Sequence, residues 1–97
     1  MTAVMVTTKH RGVFFGYIEG DLPGELEENE SLAVSDVRMC VYWHASMKGI
    51  LGLASMGPDS NCRISGKVDG GTRLYGVTAV FPVNKAAEKR WEEAPWI

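Results

Sequence analysis

Only two cysteines, Cys40 and Cys62, occur in 97 residues, far below the density of a disulfide-stapled secreted domain. Cys40 lies inside the apolar run Met39-Cys40-Val41-Tyr42-Trp43, where a thiol behaves as a small hydrophobe. Cys62 follows the turn signal Asp59-Ser60-Asn61, and reduced thiols are expected at both positions. No apolar run approaches the ~20 residues that span a bilayer. Lys9-His10-Arg11 interrupts the N-terminal apolar stretch too early for a signal peptide, so neither membrane insertion nor secretion is expected. An excess of one charge is also lacking: 10 Lys+Arg against 12 Asp+Glu leave a net charge of −2. That balance argues against duplex DNA as a partner, because phosphate neutralisation supplies most of such affinity.

Motifs of common chemistry are missing as well. The glycine-rich stretch from Gly49 to Gly71 contains no GxxxxGK[ST], and no GxGxxG stands between a strand and a helix, which excludes the familiar nucleotide loops. No GxSxG elbow is present. His44, Ser46 and Asp36 supply the residue types of a hydrolytic triad, but on one extended strand His44 and Asp36 would stand about 27 Å apart. His10, His44, Cys40 and Cys62 lack the CxxC or HxxxH spacing of a zinc site. The sequence therefore predicts no catalytic residues, no metal and no cofactor.

What is present is ordinary globular composition, 45% hydrophobic and 23% charged, sized for a single domain over residues 1–97. Ala3 to Thr8 and Val13 to Glu19 read as strands joined by a turn at Lys9-His10-Arg11-Gly12. In the second, Val13, Phe15 and Tyr17 face one way and Phe14, Gly16 and Ile18 the other, so both faces are expected to be covered. Gly16 marks a bulge or a close backbone approach. Asp36 to His44 alternates again, with Val37, Met39, Val41 and Trp43 on the expected core face and Arg38, Cys40, Tyr42 and His44 opposite. Met47 to Gly57 fits either a short helix or a twisted strand, since Gly49, Gly52 and Gly57 weaken a helix by about 1 kcal/mol each. Thr72 to Val83 reads as one last strand, with Tyr75, Val77, Ala79 and Phe81 on one face. Asn84 is a helix N-cap, Lys85 to Glu93 a helix docking through Trp91, and Pro95 its end, with Trp96 folding back. The expected fold is mainly β (α+β): a small antiparallel β-barrel or rolled sheet with one C-terminal helix.

Charge is divided along the chain. Gly12–Asp36 carries seven carboxylates and no base, concentrated in an acidic loop around residues 20–31 where Leu22 and Leu26 are the expected pins. Val37–Lys85 carries six bases against two acids, a net +4. Three uses of that division stay open: a solvated loop, a pocket of bases for an anion, or the acidic loop of one copy meeting the basic block of another. In the second use Arg38, Arg63, Lys67 and Arg73 hold phosphates while Tyr42, Trp43 and His44 stack on a base.

Five stretches together carry a resemblance: His10-Arg11-Gly12-Val13-Phe14-Phe15-Gly16; Arg38-Met39-Cys40-Val41-Tyr42-Trp43; Gly49-Ile50-Leu51-Gly52-Leu53-Ala54 with Gly57-Pro58; Cys62-Arg63-Ile64-Ser65; and Trp91-Glu92-Glu93-Ala94-Pro95-Trp96. The chain resembles an uncharacterised family of small accessory proteins encoded by bacteriophages and prophages. The resemblance brings no catalytic residues with it; it implies the cytoplasm of a host bacterium and roles such as counter-defence. The function expected is a non-enzymatic, homo-oligomeric protein that sequesters a nucleotide-like immune signal. The alternatives are an inhibitor that contacts a host defence protein through its acidic loop, and a structural or virion-associated protein.

Overall fold

The computed structural model describes residues 1–24 and 30–95. Strands β1 (Thr2–Thr8) and β2 (Gly12–Ile18) form a hairpin in unbroken antiparallel register from Thr2↔Ile18 to Thr8↔Gly12. Its connection turns through two successive left-handed residues, His10 (φ 64°) and Arg11 (φ 67°). Alternation along both strands sends Ala3, Met5, Val13 and Phe15 to one apolar cluster and Val4, Val6 and Ile18 to another. Both faces are covered, as the sequence alternation requires.

Strand β3 (Ser31–Tyr42) begins earlier than expected and pairs with β2 through Phe14↔Met39, Phe15↔Arg38 and Tyr17↔Ser35. The register slips opposite Gly16, where Asp36 takes a left-handed conformation (φ 53°). A Cβ on Gly16 would run into Val34 Cγ1 and lie 2.9 Å from the Ser35 carbonyl oxygen. Gly16→Ala is therefore expected to cost about 1–3 kcal/mol through overpacking. A urea titration of the variant reads this directly, and an unchanged midpoint would remove the close-approach account.

The far edge of β3 is shared by β5 (Gly71–Tyr75), which pairs with Ser31–Ser35, and β4 (Arg63–Ile64), which pairs with Cys40 and Tyr42. Strand β6 (Val77–Pro82) pairs with β1 at the opposite edge. The segment expected to be one strand is thus two, divided at Gly76 (φ 67°). In a flat sheet β5 and β6 would lie four spacings, about 19 Å, apart. One intervening residue spans less than ~8 Å, so the sheet must roll. The six-stranded antiparallel sheet is not closed by a hydrogen-bonded ladder, so it is a rolled sheet rather than a complete barrel. Dividing the strand also changes its facing: Leu74, Val77 and Val80 all join the strand-only cluster inside the roll, while Phe81 packs on the other side.

That other side carries the helices. Helix α1 (Gly49–Met56) follows a 3₁₀ turn at Ala45–Met47, and α2 (Lys85–Glu93) ends the described chain but for Ala94 and Pro95. Of the two conformations the sequence leaves open for this segment the structure takes the helix, and two of its glycines are tightly packed: a Cβ on Gly52 would collide with the Met47 carbonyl. A Cβ on Gly57 would lie 2.7 Å from the Ala87 carbonyl oxygen and 2.8 Å from Arg90 Cβ, so the end of α1 presses on α2. Asn84 caps α2 as expected: its Oδ1 accepts from Ala87 N at 2.8 Å, and its Nδ2 donates to the Ser55 carbonyl at 2.9 Å. Trp91 is wholly buried and stacks on Phe15, with centroids 5.2 Å apart and planes 6° apart.

The core stripe expected on β3 is corrected. Val37 is buried, but Met39 and Val41 are exposed, and Trp43 packs against the helix-side cluster. The ladder between β3 and β4 slips after Cys40, so strand parity does not carry through to Trp43. Leu22 is also exposed. Leu26, with residues 25–29 of the acidic loop, and Trp96 lie outside the described residues. Among the described residues no helix is long and apolar enough to cross a membrane.

Candidate functional site

Arg38, expected to hold a phosphate, does something else. Its side chain is 5% exposed, and its guanidinium closes the C-terminus of α2. Nη1 donates to the Trp91 carbonyl at 2.6 Å and to that of Glu92 at 3.2 Å, and Nη2 to Ala94 at 2.7 Å. Nε donates to the Ser65 carbonyl at 2.9 Å. The last carbonyls of a helix have no internal partners and carry its negative dipole end, so a buried cation fits there. Burial lowers the Arg38 pKa from its ordinary value and the Glu92 charge opposes that shift, yet a guanidinium stays protonated in a protein. With its donors on carbonyls, Arg38 is a structural cap and not a ligand group.

Lys67 pairs with Glu92 Oε2 at 3.0 Å beside the same helix end. Arg73 donates to Ser31 Oγ at 3.0 Å from β5, opposite Ala33. Nine residues of β3 separate Ala33 from Tyr42, up to about 30 Å of strand. Arg63, which pairs with Tyr42, therefore does not converge with Arg73. The expected pocket of four bases does not form.

His44 is also committed. Its Nδ1 accepts from Ser46 N at 3.1 Å and so caps the 3₁₀ turn. Ser46 Oγ donates to Asp59 Oδ2 at 2.7 Å, and Asp59 Oδ1 accepts from Asn61 N at 2.9 Å. These hydrogen bonds, Ser46 first and then Asn61, hold the Asp59 carboxyl below its usual range. Histidine, serine and aspartate thus meet, with Asp59 in place of Asp36, but in the wrong order. A hydrolytic triad needs histidine between the other two; here serine is in the middle, its proton aimed at a weakly basic carboxylate.

The remaining expected residues do come together. At the end of β3 Val41 is 59% and Tyr42 49% exposed, with Met39 also exposed. One hollow of about 270 Å³ is lined by Arg11, Met39, Cys40, Val41, Tyr42 and Trp43. A second, of about 280 Å³, is lined by Val41, Tyr42 and Arg63. Tyr42 lines both, Arg11 and Arg63 each line one, and among the described residues no carboxylate lines either. Arg11 is the residue that sequence reasoning missed. The Lys9-His10-Arg11-Gly12 turn was visible, but only the hairpin register places Arg11 beside the end of β3. Another hollow, of about 390 Å³, lies between the turn after α1 and the end of α2, with Arg90 facing a wall that includes Asp59 and Glu93. Its mixed charge favours no single ligand.

Both cysteines are free and buried. Desolvation, then the neighbouring Cys62, pushes the Cys40 thiol up to about 12. The folded thiol stays protonated where an unfolded one, near 8.5, ionises. Its contribution to stability is therefore intact below about pH 8.5 and is lost as pH rises from there towards about 12. Urea midpoints are expected to fall across that alkaline window, and Cys40→Val to flatten part of the fall. An identical alkaline profile for wild type and variant would contradict this.

No curated protein and no solved structure matches the chain. Residues 1–91 match one family profile. The chain therefore belongs to the family described as domain of unknown function (DUF6948).

Proposed function

We propose that this protein works by binding, and that its ligand is a planar, nucleotide-like anion seated on Tyr42 between Arg11 and Arg63. The observation that carries this reading is the half-exposed Tyr42 ring, which lines two adjoining hollows, each with one guanidinium and, among the described residues, no carboxylate. An aromatic face stacks on a base, and guanidinium forks match phosphate oxygens. In the host cytoplasm that the resemblance to phage-encoded proteins implies, such binding acts as counter-defence by sequestering an immune signal. Among the described residues no nucleophile with an activating base lines this face, and in this reading the ligand is held unchanged.

Calorimetric titration of nucleoside monophosphates and short oligonucleotides tests it. Tyr42→Ala and Arg63→Glu are each expected to weaken binding by about tenfold or more, equivalent to at least about 1.4 kcal/mol. Arg73→Glu, on a distant part of β3, is expected to leave it unchanged, and the ligand should be recovered chemically intact. Absence of binding, or equal loss in Arg73→Glu and Arg63→Glu, would overturn the reading. Arg11 offers a sharper contrast. A left-handed non-glycine residue costs about 1–2 kcal/mol, so Arg11→Gly is expected to raise stability while lowering affinity. Strain kept at a ligand-facing residue is the mark of a functional position.

A further inference from the structure

Arg11 and Arg63 lie at the opposite end of the strands from Glu19 and Asp21, while Arg73, bonded to Ser31 at the start of β3, shares the acidic end. Arg11 precedes the first residue of β2, and Arg63 pairs with Tyr42, the last residue of β3. Glu19 follows the last residue of β2, and Asp21 and Leu22 come next, all three exposed. The connection they open continues through Glu25, Glu27 and Glu28 to the start of β3. Seven residues of β2, about 20 Å at 3.3 Å per step, therefore hold Arg11 away from Glu19. That is more than twice the screening length of about 8 Å at physiological salt. The longest dimension of the molecule is 35 Å, and Glu19 and Asp21 do not reach Arg11 or Arg63 of the same chain. The two ends are nonetheless complementary in kind. At one, arginines flank exposed Met39, Val41 and Tyr42; at the other, acids flank exposed Leu22.

The geometry points to a second copy of this chain as the occupant of the Arg11–Tyr42–Arg63 face, with the Glu19–Leu22 end of each copy seated on the arginines of the other. Two copies side by side with their long axes antiparallel make this contact twice across a two-fold axis. That closes the assembly as a dimer rather than a filament. Apolar side chains would fill the centre of each contact and ion pairs its rim. The same arginines serve the proposed ligand, so a bound nucleotide and the second copy exclude one another.

Charge exchange tests this. Sedimentation of the wild type is expected to show a concentration-dependent dimer at low salt that weakens at high salt. Arg11→Glu/Arg63→Glu and Glu19→Lys/Asp21→Lys are each expected to weaken self-association by about tenfold or more through like-charge contact. Mixed together, the two variants should form a heterodimer, because both contacts are then complementary again. A wild type that stays monomeric at low salt, reversals that leave the dimer unchanged, or a mixture that fails to associate would each overturn the proposal. The substituted side chains are exposed, and thermal melting checks the fold of each variant. Should a double variant fail to melt cooperatively, Arg63→Glu and Asp21→Lys alone carry the same mixing test. Nucleotide separates the two proposals: a dimer that exchanges charge as described but binds no nucleotide removes only the ligand reading. Nucleotide bound by a monomer that never pairs removes only the dimer.

Discussion

Arg38→Met is expected to destabilise the protein by about 3–5 kcal/mol, the range seen when one partner of a buried charged contact is removed. The methionine keeps much of the volume but none of the donors. The carbonyls of Trp91, Glu92, Ala94 and Ser65 then lose their partner together, and an unsatisfied buried polar group costs about 1–3 kcal/mol. Glu92 also loses one of its two neighbouring cations, keeping only Lys67 on Oε2, and its Oε1 is already buried without a hydrogen-bond partner among the described residues. For a domain of this size 1 kcal/mol moves the melting temperature by about 4–8 °C, so the midpoint should fall by well over 10 °C. Arg38→Lys is expected to recover only part of the loss. One ammonium cannot reproduce the planar fork that reaches carbonyls on both the helix end and Ser65. Thermal melting by circular dichroism reads both variants. An Arg38→Met midpoint within a degree or two of wild type would show that the cap contributes little.

Trp91→Ala is expected to cost about 3–5 kcal/mol, the range for emptying a buried aromatic site. The ring is wholly buried against Phe15 and is the main anchor of α2 on the sheet. Total stability of small domains is about 5–15 kcal/mol, so this variant should have little or no folded state at elevated temperature. Trp91→Phe behaves differently. Trp91 Nε1 is buried with no hydrogen-bond partner among the described residues, a liability that phenylalanine lacks, while the second ring keeps the stack. The expected cost is therefore well below that of alanine. Urea unfolding of the pair distinguishes packing from polarity: equal losses would mean that the stack itself contributes nothing.

These two residues show how unevenly the molecule can be read from its sequence. Trp91 was legible as the docking residue of α2 because its spacing from Ala87 puts both on one helix face, and Asn84 was legible as the cap. Arg38 was misread as a ligand group because nothing local distinguishes an arginine aimed at solvent from one aimed at a helix end. Its partners lie as many as 56 residues along the chain. The same holds for the candidate face. Tyr42 pairs with Arg63 and lines a hollow with Trp43, whereas His44, Lys67 and Arg73 have other contacts, and Arg11 entered only through the hairpin register. Gly76 explains the misplaced facing of the last strand. Thr72–Tyr75 before it and Val77–Val83 after it read as continuous alternation, but a positive φ at that one residue redirects the strand to the opposite edge of the sheet.

Local periodicity by itself determined the β-rich class, the two-sided burial of β1 and β2, the capped C-terminal helix and the division of charge. Each depends on residues two to four positions apart, which interact whatever the rest of the chain does. Tertiary structure decided the roll of the sheet, the helical state of α1, the duty of Arg38 and the choice of cations that share a surface with Tyr42. Those outcomes depend on contacts between segments distant in sequence, where burial and unsatisfied carbonyls outweigh any local preference.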